Sequence, residues 1–169
     1  RMLEQEGLAV TVPRKGAEVA RMTLKDMEDV LEVREALDEL AVRIACQKIS
    51  EEQLERLRHV KRDFEMNTRS KDVKKIAESD VKFHDIIYEA ADNPKLGSIL
   101  NNLREQAYRY RVEYLKDASS YPVLIREHEK ILEGLEARNC EMATKAMHEH
   151  VENQAVAVKA VIERQEETV

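Results

Sequence analysis

Glycine and proline are scarce, with 4 and 3 in 169 residues. So few helix breakers, with 37% of residues charged, suit an all-helical protein with solvated outer faces. Cysteine is scarcer still. Cys46 and Cys140 are too few and too far apart for a disulfide framework or a zinc knuckle, so a reduced cytoplasmic setting is expected. No apolar run is long enough to span a bilayer, and no signal peptide is visible. Positive charge is also in deficit. A formal net charge of −6 argues against this chain, taken alone, being a strong nucleic-acid binder. Internal repeats and low-complexity segments are absent. What is present is 43% hydrophobic residues, enough to bury the core of one domain, or of one domain plus a fragment.

Residues 1–22 differ in pattern from the rest of the chain. Arg1–Gly7 reads as the last turns of a helix stopped by Gly7. Leu8–Val12 and Gly16–Ala20 alternate and are β-branched, and Pro13-Arg14-Lys15-Gly16 between them reads as a basic hairpin tip. From Met22 onward the pattern is helical. Thr23 caps a first helix running to about Lys48, with Met27, Val30, Arg34, Leu37, Ala41 and Ile44 on one face. Ser50-Glu51-Glu52-Gln53 is a capping box for a second helix, to about Met66. A third spans about Asp72–Ala91 and is stopped by Asp92-Asn93-Pro94. A fourth runs from about Pro94 to Leu115, its inner face Leu96, Ile99/Leu100, Leu103, Ala107, Tyr110 and Tyr114. A fifth runs from Ser119-Ser120-Tyr121-Pro122 to about Arg138-Asn139, and a sixth covers about Cys140–Arg164. Six amphipathic helices with short links predict an all-α antiparallel bundle preceded by a short β-hairpin.

Two places on the apolar face of the third helix hold Asp80 and His84 instead of aliphatic residues. Four apart, they share a face, with roughly 5–6 Å between Cβ atoms, within reach of one metal ion. Polar groups that face a core must be satisfied by something. The 3.6-residue period turns His128 of the fifth helix and His150 of the sixth inward. It places His148 roughly 200° round from His150 and His59 off the stripe of the second helix, both toward solvent. Three imidazoles and a carboxylate on three helices form a donor set for a borderline divalent ion: zinc or nickel first, with manganese, iron and cobalt also suited. The other reading is a buried polar network without metal.

Four protein ligands on a six-coordinate ion leave two positions for water or a small carboxylate. Arg34 lies mid-stripe on the first helix. It is placed either to pair bidentately with such a carboxylate or to form an internal salt bridge with Asp38 or Glu35. Arg104, Arg111 and Tyr110 on the fourth helix are further candidates for ligand contact, and Tyr88, Asn102, Gln106, Tyr108 and Tyr114 for pocket lining.

In order along the chain, Arg34-Glu35-Ala36-Leu37-Asp38, Asp80-x-x-Phe83-His84 with Asn93-Pro94-x-Leu96, Glu127-His128 with Ile131-Leu132 and Ala137-Arg138-Asn139, and Ala146-Met147-x-x-His150-Val151 resemble the motifs of the FCD effector-binding domain of GntR-type transcription regulators, FadR subfamily. The likeness covers about Leu24–Gln165. Asn139 stands where Gly-Asp is commoner, at a turn, and six helices resemble the VanR-type subgroup. The resemblance implies a metal site on Asp80, His84, His128 and His150, a homodimer, and a sensor rather than an enzyme. It also implies that residues 1–22 are the end of a winged helix-turn-helix domain, with Arg14 and Lys15 at the wing tip against DNA. Residues 23–169 would be the metal- and ligand-binding domain. On that reading the base-reading start of the recognition helix is not in this sequence, and the chain by itself would not read operator DNA.

The expected function is therefore a metal-dependent sensor of a small organic acid that modulates operator binding, as in a repressor, with whether the acid releases or tightens DNA left open. A helical metal-dependent hydrolase is the alternative, since His84-Asp85 is an adjacent pair of the kind HD-type phosphohydrolases use. Asp85, however, sits about 100° from His84, and no general base is evident. A third reading has a purely structural metal, with every coordination position closed by protein.

Overall fold

The computed structural model describes residues 9–12, 16–19 and 23–166. Two short strands, β1 (Ala9–Val12) and β2 (Gly16–Val19), pair antiparallel in the register Ala9↔Val19 to Val12↔Gly16. Gly16 has φ +90°, a value glycine takes without penalty. The helix tail expected at Arg1–Gly7 and the hairpin tip with Arg14 and Lys15 lie outside the described residues.

Six α-helices come next: α1 (Leu24–Lys48), α2 (Glu51–Ser70), α3 (Val73–Ala91), α4 (Pro94–Tyr114), α5 (Tyr121–Glu136) and α6 (Cys140–Glu166), with a 3₁₀ turn at Ala118–Ser120. The expected caps form. Thr23 and Asp26 make a reciprocal capping box at α1, and Ser50 and Gln53 another at α2. Asp72 and Asn93 accept from Lys75 N and Leu96 N at the starts of α3 and α4. Asn139 accepts from Met142 N at 3.0 Å, so the residue that departs from the usual Gly-Asp starts α6 as its cap. With glycine scarce, helices close through non-glycine residues in the left-handed region: Lys71, Asp92 and Arg138, with φ of 56°, 51° and 53°.

α1 packs most extensively against α6 and also touches α3, α4 and α5; α2 packs on α3 and α5. The main core joins Cys46, Leu57, Phe83, Ile87, Leu135 and Met147 from five helices. A second cluster ties Met27 and Leu31 of α1 to Tyr110 of α4 and Val158 and Ile162 of α6. A third holds Phe64, Ile76, Leu115 and Leu124, and a fourth Ala41, Tyr88, Leu96 and Leu100. α5 and α6 come so close at Gly134 that a Cβ there would lie 2.7 Å from Ala143 Cα.

Details differ from the periodicity: on α1, Val30, Leu37 and Ile44 are only half-buried, while Leu31, Asp38 and Ala45, one residue on from each, are buried. α2 runs past Met66 to Ser70, because Thr68, one turn after Phe64, is buried and its hydroxyl donates to Glu65 O. Ile99 is 50% exposed, since α4 buries Leu96 and Leu100 and turns Ile99 outward.

Candidate metal centre

α3 presents Asp80 and His84 one turn apart, α5 presents His128 and α6 presents His150. All four are buried. One donor atom from each lies within 4.8 Å of all the others. The Nε2 atoms of His84 and His150 face each other at 3.1 Å, and His128 Nε2 lies 3.3 Å from Asp80 Oδ1. Phe83 stacks on the His128 ring at 4.3 Å and Phe64 meets its edge at 4.7 Å, which fixes that imidazole from two sides.

Hydrogen bonding within the donor set is incomplete. Nδ1 of both His128 and His84 is buried with no hydrogen-bond partner, and the 3.3 Å contact of His128 Nε2 with Asp80 Oδ1 is not aligned as a hydrogen bond. An unsatisfied buried polar group costs about 1–3 kcal/mol, so three such atoms in one place are unusual for a plain core. The residues fit a divalent ion, which would take the inward-facing nitrogens and one oxygen of Asp80.

Charge around the centre points the same way. Burial would raise the Asp80 carboxyl, but the Arg111 guanidinium and the neighbouring imidazoles hold it well below the usual carboxylate range. Burial pushes His84 well below the ordinary imidazole value against the pull of Asp80. Burial also lowers His150, with Glu127 opposing. Both shifts favour the neutral imidazole, the form that ligates.

A shell of polar groups orients these side chains. His150 Nδ1 lies 2.8 Å from Glu127 Oε2, and Asn153 donates to the other Glu127 oxygen at 2.6 Å. That leaves Nε2 of His150 as the acceptor, where the Gln154 amide nitrogen sits at 2.6 Å. Arg34 Nη1 donates to Gln154 Oε1 and its Nε donates to Asp38 Oδ2 at 3.1 Å. Tyr88 donates its hydroxyl to the other Asp38 oxygen at 2.7 Å. Arg34 is thus held in the internal salt bridge with Asp38 that was one of its two readings. Arg111 donates to both oxygens of Asp80, from Nη2 at 2.7 Å and from Nε at 3.3 Å, and its Nη1 is buried without a partner.

Of the four residues considered for ligand contact, Arg34 and Arg111 reach this centre. Arg104 pairs with Asp85 at 2.9 Å and donates to Val81 O, beside an open groove of about 780 Å³ that meets the network at Tyr88. Tyr110 lies in the second core cluster, against Arg109. Asp85 is turned outward to Arg104 and is no partner of His84. His59 is exposed, near Asp63. His148 is half-exposed and engages Glu35 and Glu39.

Sequence reasoning passed over Glu127 as a partner of His150 and weighed Asp38 only as a counter-ion for Arg34. Asp38 carried a signal, one turn from Arg34 on the inward stripe. Glu127 carried a signal too, three residues after Leu124 and four before Ile131 on the inward stripe of α5, but only the approach of α6 makes it the partner of His150.

The fold is an all-α bundle built around this buried polar cluster, and comparison with known proteins names its class. The FCD domain family matches residues 29–153, so the chain belongs to the FCD-domain family of GntR-type transcription regulators. It is 23% identical over 171 residues to the HTH-type transcriptional regulator YdhC of Bacillus subtilis (strain 168), covering 99% of this chain and 75% of the relative. It is 24% identical over 159 residues to the HTH-type transcriptional repressor RspR of Escherichia coli (strain K12), covering 94% and 70%. Among solved structures, E. coli McbR/YncC superposes with a TM-score of 0.86 at 17% identity, over 97% of this chain and 81% of that one. A GntR family member from Pseudomonas syringae gives 0.72 at 21% identity, over 99% and 70%. No described helix is long and apolar enough to cross a membrane.

Proposed function

We propose that this FCD domain senses a small carboxylate through a divalent ion held by Asp80, His84, His128 and His150. The single observation that carries the reading is the convergence of these four buried donors within 4.8 Å, with the His128 nitrogens unsatisfied. Such an ion, when bound, would offer open positions to carboxylate oxygens. The protein's own part is orientation and charge. Glu127 fixes the His150 tautomer, Phe64 and Phe83 fix the His128 ring, and Arg34 and Arg111 supply the cations that an incoming anion meets. Arg34 is bound to Gln154 and Arg111 to Asp80, so an anion that draws on either guanidinium also pulls on α6 or α3. A ligand with different affinity for the two settings shifts their populations. In the whole regulator, residues 23–169 would be the sensor, residues 1–22 the end of the DNA-binding domain with its wing, and the assembly a homodimer on operator DNA.

A second reading has its own observation. Arg111 already neutralises Asp80, as a metal-free buried network would require. Elemental analysis of the purified chain, with thermal shift against simple carboxylates, separates the two. About one metal per chain and stabilisation by carboxylates support the sensor. No metal after reconstitution means that Arg111 is the permanent counter-ion, and the sensor reading fails.

A further inference from the structure

α1 and α6 carry a second group of donors on the strips next to the buried centre. Arg34 and Asp38 face the centre from α1, and Glu35 and Glu39 stand one residue after each. On α6, His150 and Gln154 face the centre, and His148 and Glu152 precede each by two. His148 Nδ1 lies 2.8 Å from Glu39 Oε1 and 3.0 Å from Glu35 Oε1. Its Nε2 lies 3.9 Å from Glu152 Oε2. Donor atoms of Glu35, Glu39 and His148 all fall within 4.8 Å of one another. We propose that Glu35, Glu39 and His148 form a second, outer binding site for a borderline divalent cation such as zinc, which clasps α1 to α6.

Three things carry this. The first is spacing. Two ligands about 2.1 Å from a tetrahedral zinc lie about 3.4 Å apart, and the separations of 3.0 and 2.8 Å between His148 Nδ1 and the carboxylates of Glu35 and Glu39 open to that by a few tenths of an ångström once the ring proton is displaced. Glu35 and Glu39, one turn apart on α1, offer both carboxylates from the same side, within 4.8 Å of the imidazole donor. The second is charge. Among the described ion pairs, Glu35, Glu39 and Glu152 have no lysine or arginine partner, and all three converge on His148. One imidazole, even protonated, leaves two carboxylates uncompensated. The third is the donor type. An imidazole nitrogen between carboxylates selects a borderline ion over magnesium or calcium, which favour all-oxygen sites. The three side chains are 32–43% exposed, so an ion reaches them from solvent. An ion there would fasten the two helices that hold Arg34, Asp38, His150 and Gln154, and so govern how far they part.

The site does not rest on the inner centre, and its test keeps the two apart. Zinc is titrated into the wild-type chain, His148→Ala, the double variant Glu35→Gln/Glu39→Gln, and His128→Ala, and bound zinc is counted after equilibrium dialysis. Wild type is expected to bind one zinc more than either outer variant, and His128→Ala is expected to keep that outer zinc. The outer increment should also raise the melting temperature in wild type and not in His148→Ala. If both outer variants bind as much zinc as wild type, with equal affinity, the cluster is only an ion-paired imidazole and the proposal falls. The outer variants change exposed side chains. Where His128→Ala fails to fold, the difference between wild type and the outer variants still decides.

Discussion

Arg111 and Asp80 form a buried side-on ion pair between α4 and α3, with Nη2 2.7 Å from Oδ1 and Nε 3.3 Å from Oδ2. The same oxygen, Oδ1, lies 3.3 Å from His128 Nε2. Asp80 is therefore claimed from two sides, by a guanidinium and by the donor set of the centre.

Arg111→Met should remove the competitor and leave Asp80 with an uncompensated charge. The metal-free variant is expected to lose on the order of 3–5 kcal/mol. Added zinc should raise its melting temperature more than it raises that of wild type. Unfolding in chelator and in zinc checks this. Equal zinc-induced shifts in the two proteins would mean that Arg111 and the ion do not contend for Asp80.

Glu127→Gln tests the support of His150. The carboxylate holds Nδ1 and directs Nε2 inward. Loss of such a partner typically weakens metal binding about 10–100-fold. Competition with a chromophoric chelator measures it. Asn153→Ala, which only steadies Glu127, should cost less.

Gly134→Ala should destabilise the fold by about 1–3 kcal/mol through overpacking. The new Cβ would meet Ala143 N and Cα at 2.7 Å, both backbone atoms. Adding Ala143→Gly should therefore not rescue it in denaturant unfolding. Full rescue would place the clash on the Ala143 methyl alone.

The α1 cap should leave an acid signature. Hydrogen bonds from the Thr23 side chain and backbone lower the Asp26 carboxyl below its ordinary value. A depressed folded value contributes stability that is present above the unfolded pKa, about 3.9. It is lost as pH falls through the folded value. Asp26→Asn should thus flatten part of the loss of melting temperature below about pH 4. Parallel acid profiles of variant and wild type would show that the cap does not contribute.

Helix existence, caps and faces were legible because they are local. Thr23 and Ser50 announce their capping boxes within four residues, and Asn93-Pro94 announces both a stop and a start. The inward turn of His84, His128 and His150 comes from a period that needs no neighbour, and all three are fully buried. Ile99 shows the limit. A stripe that includes both Ile99 and Leu100 does not say which of them the packing will cover. Arg34 shows another, since either of its readings fitted the sequence and the approach of Asp38 and Gln154 selected the salt bridge.

By itself, then, the sequence determined six amphipathic helices and the inward turn of Asp80, His84, His128 and His150, because backbone geometry within a helix repeats regardless of what packs on it. Tertiary structure alone decided the partners: Arg111 on Asp80, Glu127 on His150, and Glu35 with Glu39 on His148. Each joins residues on different helices, and helical period carries no information about rotation and height between packed helices. Those are set by how side chains interdigitate across the bundle, as at the close approach of Gly134 and Ala143.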